Sequence, residues 1–299
     1  MPRPSKGEPS EARAGARAWP RPLRVLARNR LTVVGAVIVA VFLLCAALAP
    51  ILAPYNPTRA SLSATLGAPS ARHWLGTDDL GRDILSRVLY GSRLALIEVI
   101  LVLAISASIG IPIGLVAGYT GGKTDNVLMR VVDLFLSFPT FILALAIASA
   151  LGPSLQNAMI ALGISWWPWY ARIARGQARF VKELAYVEAA RSLGAPRTYI
   201  MARHVFPNSL TPILVQLSLD AGYVILTAAA LSFVGLGAQP PTPDWGLMVA
   251  TGRDFTLSAW WLAAFPGIAI SLVTLAFNLL GDGVRDVLDP RTSRKATGG

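Results

Sequence analysis

The segment Ala117-Gly118-Tyr119-Thr120-Gly121-Gly122-Lys123-Thr124 falls one residue short of G-x-x-x-x-G-K-[ST], the spacing with which a loop cradles phosphates. That chemistry needs a glycine where Ala117 stands and a buried strand ahead of the loop, whereas a long apolar run leads into this one. Gly121-Gly122-Lys123 is therefore read as a turn between helices, and ATP binding by this chain is not expected. The histidines, His73 and His204, are far apart in sequence, so no protein metal site is expected; the single Cys45 excludes an intrachain disulfide. No cofactor and no catalytic residues are assigned, because no constellation of His, Asp, Glu or Ser stands at span depth. Asp220 is the acid that interrupts an apolar stretch, at a cost of roughly 2.5–3.5 kcal/mol if it lies at the bilayer centre. It is read as meeting solute or water in a translocation pathway; the alternatives are contact with a partner subunit and burial as the neutral acid. Glu98 lies nearer an outer end and can snorkel, and Asp133 stands three residues after Arg130, so local pairing accounts for it.

A second constellation lies in the charged loop at 172–209: Glu188-Ala189-Ala190, then Gly194 and Pro196, then His204-Val205-Phe206-Pro207. It reads as two short helices and a sharp corner. Glycine suits the left-handed residue that ends a helix, and proline suits the first position of the next. Ala189 and Ala190 allow close backbone approach and favour helix, while Glu188 can pair with Arg191 or with a basic group elsewhere. A corner of this kind on the cytoplasmic side of a membrane protein can dock into another protein, as in a transporter driven by a partner.

The elements that carry these residues follow from composition. Hydrophobic residues make up 54% of the 299 and charged residues 14%, which excludes an ordinary soluble domain. Uncharged runs at 31–53, 99–122, 134–171, 221–243 and 255–281 meet or exceed the roughly 20 residues needed to cross a ~30 Å core. The third is long enough for two spans, broken at Leu151-Gly152-Pro153-Ser154; the fourth extends back to about Ser209 and takes in Asp220. The expected fold is thus an all-α integral membrane protein with six transmembrane helices. Lys and Arg are concentrated in the first 30 residues, in the loop from Arg172 and in the tail after Asp282, which places both termini in the cytoplasm. The net charge of +11 is mostly this topology signal, with lipid contact secondary and nucleic-acid binding not expected.

The expected organisation is a basic cytoplasmic arm (1–30), a first transmembrane helix (31–53), and an external loop with an amphipathic helix (54–92). A five-helix core (93–283), containing the loop 172–209, and a cytoplasmic tail (284–299) complete it. The amphipathic helix is read from Leu80, Ile84, Leu85, Val88 and Leu89 at helical spacing, with Asp79, Arg82, Asp83 and Arg87 on its other side, capped by Thr77 or Asp78. It is expected to lie on the outer surface, where it either positions the second span by packing or receives solute. Gly110, Gly114 and Gly118 recur every four residues and let a neighbouring helix approach closely. Phe255, Trp260 and Trp261 suit an outer interfacial belt.

Taken together, Glu188-Ala189-Ala190, Gly194 and Pro207 at these spacings resemble the cytoplasmic signature loop of permease subunits of binding-protein-dependent ABC importers. The stretches Gly76 to Asp83, Leu231 to Gly237, Pro240 to Gly246 and Asn278 to Asp286 narrow the resemblance to the shorter, six-span permease of the dipeptide/oligopeptide/nickel importer family, over about Asn29 to Pro290. His204 departs from the general importer pattern, which favours an aliphatic residue there. The resemblance implies a type I ABC importer permease fold in the bacterial inner membrane. It also implies a second homologous permease, two cytoplasmic ATPase subunits, an external solute-binding protein, and passage of di- or oligopeptides or similar small solutes. On it, Glu188, Ala189, Ala190, Gly194, Pro196, His204 and Pro207 form the ATPase-coupling loop. An ion-coupled secondary transporter or channel is the alternative, with Asp220 its only support. If the phosphate-loop likeness is accidental, Lys123→Ala leaves ATP turnover of the assembled complex near normal; a large loss of nucleotide affinity in an ATPase assay overturns that reading.

Overall fold

A computed structural model describes residues 29–288; the basic arm and the end of the tail lie outside them. The first helix, α1 (Arg30–Leu52), starts where the Asn29 side chain accepts the Leu31 N–H at 3.0 Å. Its buried residues Thr32, Gly35, Val39, Phe42, Ala46 and Ala49 form one stripe at helical spacing, and the leucines and valines between them face outward.

The second helix, α2 (Ile84–Thr120), has 37 residues and so reaches about 55 Å. That exceeds a bilayer core, and its N-terminal part therefore stands outside the apolar run that begins at Val99. The expected amphipathic surface helix is thus the head of α2: it begins at Ile84, capped by Asp83, and continues into the span without a break. Arg82, Asp83 and Arg87, expected on a solvated face, are buried. Gly121, with φ +68°, ends α2 and turns the chain into α3 (Gly122–Leu136). A helix leads directly into this turn, and among the described residues the only β pairing is an isolated bridge between Thr77 and Asp83.

The long apolar run at 134–171 divides as expected near Gly152. Its first half, however, holds only the end of α3 and the short α4 (Thr140–Leu151), so α3 and α4 form a bent pair meeting at 82° around Pro139. Next come α5 (Leu155–Lys182), α6 (Ala185–Ser192), and a helical stretch formed by α7 (Arg197–Ile200), a π turn (Met201–Val205) and α8 (Phe206–Phe233). The short α9 (Trp245–Gly252) and the closing α10 (Trp261–Leu288) complete the order. Among the described residues, four helices are long and apolar enough to cross a bilayer, and the bent pair makes a fifth. The remaining span of the six counted from sequence is α5. It is long enough but carries Gln156, Asn157, Trp166, Trp167, Trp169 and Arg172. Part of this polarity is covered where α5 packs on α2, α4, α8 and α3: Trp166 and Trp167 are buried there, while Gln156, Trp169 and Arg172 stay exposed.

Among the described residues, the α2–α5 contact is the most extensive between helices. A Cβ on Gly110, Gly114 or Gly118 would overlap the carbonyl oxygens of Trp167, Ala171 and Arg175 in turn, so the two backbones touch along three successive turns. Ala171, Ala174 and Ala178 complete the seam. Gly114→Val is expected to destabilise the chain by about 1–3 kcal/mol through overpacking. Gly176→Ala, on the open side of α5, gains up to about 1 kcal/mol of helix propensity. Thermal unfolding of the purified complex compares the two, and equal midpoints refute the seam.

Candidate functional site

Leu184 to Ser209 forms a compact elbow between α5 and α8. The α6 helix ends in a Schellman motif: the Gly194 N–H donates to Arg191 O at 3.0 Å, and the Ala195 N–H donates to Ala190 O at 3.1 Å. Gly194 has φ +82°, as its place in the sequence predicts. Pro196 stands one residue earlier than expected, at the N-cap of α7 with extended ψ of 150°, where its missing N–H is of no consequence.

The second half of the elbow is built around Pro207. Its ring cannot donate and crowds the carbonyl four residues back, and the chain responds with a wider turn in which the Phe206 N–H reaches Met201 O. Two side chains just beyond it bond back to carbonyls one turn earlier: Asn208 Nδ2 donates to His204 O at 2.6 Å and Ser209 Oγ to Val205 O at 2.8 Å. His204 lies between Tyr186 and Tyr199, with ring centroids 5.9 and 5.8 Å away. An aromatic ring there ties α6 to α7, which accounts for its departure from an aliphatic residue. Neither tyrosine was legible as a partner, since only the folded elbow brings them together.

The elbow has two faces. Val187, Ile200 and Val205 are buried against the bundle, and Ala190 packs beside them. Glu188, Ala189, Gly194 and Pro207 are exposed, and Leu193 at the tip is 89% exposed. The expected local pair of Glu188 with Arg191 is not among the ion pairs of the described residues. Beside the tip, Lys182, Arg191 and Arg197 line a cavity of about 520 Å³ that reaches back to Tyr119 and Thr120 at the α2–α3 turn.

Asp220 lies far from this elbow in sequence but on the same helix. It is buried, and its carboxylate is held within the chain: Tyr170 Oη on α5 donates at 2.6 Å and Gln216 Nε2 at 2.8 Å. Tyr170 is itself fully buried. The carboxylate therefore braces α5 against α8, and no partner subunit is required to satisfy it. Two sequence expectations for acids give way to the fold, one a local pairing and the other a snorkelling side chain. Asp133 pairs with Arg172 at 2.7 Å, and Glu98 is 3% exposed, too deep to snorkel. Asp125 and Arg175 add a bidentate pair at 2.6 and 2.8 Å between α3 and α5.

The opposite end of the bundle carries a buried ionic clamp. Asp78 Oδ2 meets Arg82 Nε at 2.6 Å, and its other oxygen accepts the N–H groups of Leu80 and Arg82. Asp83 caps α2 through Ser86 and holds His73 Nδ1 at 2.9 Å. Arg87 joins three segments by donating to the carbonyls of Pro57, Pro241 and Thr242. Trp261, read as a belt residue, is buried instead and donates to Thr77 O at 3.2 Å.

A bundle of apolar helices that crosses a membrane several times, with an ordered elbow exposed at one end, is the build of a transport subunit. Residues 110–294 match the family described as binding-protein-dependent transport system inner membrane component, and residues 18–69 match the N-terminal TM domain of oligopeptide transport permease C. The chain is 48% identical over 271 residues to the probable D,D-dipeptide transport system permease protein DdpC of Escherichia coli K12, covering 91% of each. It is 42% identical over 290 residues to the dipeptide transport system permease protein DppC of Alkalihalophilus pseudofirmus, covering 97% of this chain and 95% of that one. Its fold is similar to a chain of the inward-facing MetNI methionine ABC transporter, with TM-score 0.55 and 19% identity over 68% of this chain and 97% of that one. The chain belongs to the family of binding-protein-dependent transport system inner membrane components. It is a multi-pass inner-membrane permease of an ABC importer, and membership implies ATPase partners and a second permease.

The Asp220 brace has a measurable consequence. Asp220→Leu strands the buried Tyr170 hydroxyl and is expected to cost about 1–3 kcal/mol, whereas Asp220→Asn keeps an acceptor and costs less. If thermal unfolding of both variants matches the wild type, the brace is refuted.

Proposed function

We propose that this chain forms one half of the translocation pathway for di- or oligopeptides, that it is driven by ATPase subunits docking on the Leu184 to Ser209 elbow, and that an external solute-binding protein delivers the cargo. The peptide cargo rests on relatives named for dipeptide transport. The docking role rests on one observation: the elbow exposes Glu188, Ala189 and Leu193 on one face while its other face is rooted by Val187, Ile200 and Val205. A helix presented in this way suits a groove on the partner.

The elbow transmits force because its internal freedom is small. The Schellman corner fixes the direction of α6, and His204 wedged between Tyr186 and Tyr199 keeps the two short helices from sliding. Displacement of the tip therefore moves α8, which runs from the π turn to Phe233. Asp220 passes that movement to α5 through Tyr170, so we assign it bracing rather than contact with cargo. ATP hydrolysis is assigned to the partner subunits, and this chain contributes no catalytic residue and no cofactor.

Gly194→Val tests the docking role, because a β-branched residue tolerates φ +82° poorly. Nothing crowds the site of the new Cβ, so the effect is confined to the corner. The assembled complex is expected to lose uptake, or to lose its ATPase subunits on purification. Wild-type uptake with full ATPase retention refutes the proposal. The cargo class is tested separately, by ligand-dependent thermal shift of the cognate binding protein against a peptide and metal panel.

A further inference from the structure

One face of the α2 head is turned toward the segment from Pro240 to Trp245. Arg87 reaches the Pro241 and Thr242 carbonyls, Val88 O accepts the Trp245 indole N–H at 3.0 Å, and a Cβ on Gly91 would overlap the Trp245 ring. Glu98 lies on the same face three turns further on, the last residue before the apolar run. It is 3% exposed, its side chain meets that of Asp244, and its Oε1 has no hydrogen-bond partner.

Asp244 is also 3% exposed but differs in its surroundings. Its Oδ1 accepts the Leu247 N–H at 2.8 Å as the N-cap of α9. The Gly246 N–H and the Ser232 side chain also bond it. The Ser232 oxygen accepts the Ala238 N–H, which leaves its own hydrogen for Asp244. Burial pushes the Asp244 carboxyl up, and these donors act against burial. Other elements at this junction bring Phe42 from α1 and Phe277 from α10, which carry no charge. The cation whose field reaches Asp244 is Arg87, and its guanidinium is committed to Asp78 and three carbonyls.

Two carboxyl groups in contact inside protein cannot both be acceptors, since neither supplies a hydrogen and like charges repel. The unequal supply of donors decides which one ionises: Asp244 has several, and the buried Oε1 of Glu98 has none. We propose that Glu98 and Asp244 share one proton, Glu98 being the carboxylic acid that donates to the Asp244 carboxylate, and that this proton holds α9 against the outer part of α2. Loss of the proton to water leaves two buried carboxylates in contact and separates the two elements. Glu98 is thus a positioning residue for α9, and the pair is a latch that alkaline conditions release.

The test uses the assembled complex carrying Glu98→Gln, which keeps the shape and an N–H donor for Asp244, and Glu98→Leu, which keeps neither. Below about pH 4, near the ordinary Glu value, folded and unfolded chains both hold this proton, and Gln has no pH-dependent advantage. Above it the unfolded chain releases the proton while the folded pair retains it, so wild-type stability falls relative to Glu98→Gln by about tenfold in the unfolding equilibrium per pH unit. The gap in thermal midpoints is expected to widen steadily from about pH 5 to about pH 8. Infrared spectroscopy near neutral pH is expected to show a protonated-carboxyl carbonyl band in the wild type that Glu98→Gln lacks. Glu98→Leu should melt below Glu98→Gln at every pH. A midpoint gap independent of pH, or absence of that band from the wild type, overturns the proposal.

Discussion

The seam between α2 and α5 carries the rest of the molecule. Inside a bilayer the tails of lipids are as apolar as leucine, so helices gain little by hiding hydrophobic surface from one another. Close backbone approach and dispersion must hold them instead. Gly110, Gly114 and Gly118 provide that approach by presenting bare backbone to the carbonyls of Trp167, Ala171 and Arg175. With these axes held, α8 and α4 have a surface to pack on, and the bent pair α3–α4 is anchored through Asp125 and Arg175. The covered face of α5 also explains part of its composition, because Trp166, Trp167 and Ser165 are buried against neighbouring helices and not against lipid.

Polar groups then divide by depth. Within the bundle, the carboxylate of Asp220 is kept because Tyr170 and Gln216 satisfy it; without them a buried charge would be expensive. At the outer end, Asp78, Arg82 and Arg87 are buried together and tie the loop after α1, the head of α2 and the Pro240 to Trp245 segment into one unit. A buried ion pair is weak evidence of net stabilisation, but it specifies geometry, since a shifted segment leaves a charge unpaired. The paired acids Glu98 and Asp244 continue this junction toward the membrane.

The inner end solves a different problem. For the docking role we propose, the elbow must be exposed yet stiff, and it meets both needs with few residues. Gly194 and Pro196 set the corner, Pro207 widens one turn, and Asn208 and Ser209 tie the start of α8 back to the His204 and Val205 carbonyls. Val187, Ile200 and Val205 bury the inner face, which leaves Leu193 as an exposed apolar tip.

Much of this was legible in the residues alone. Helix-length uncharged runs marked the apolar helices, because the bilayer tests each segment separately for length and polarity. The corner at Gly194 and the close approach at Gly110, Gly114 and Gly118 were legible for a related reason: backbone conformation and lack of a Cβ are local properties. What folding alone settled are the pairings between distant segments. Nothing near Asp220 in sequence announces Tyr170, fifty residues away on another helix. Asp133 had Arg130 close at hand, yet it pairs with Arg172. The head of α2 alternated like a surface helix, but the loops folded over it and buried its charged side. Periodicity reports which residues share a face; what covers that face depends on the rest of the chain.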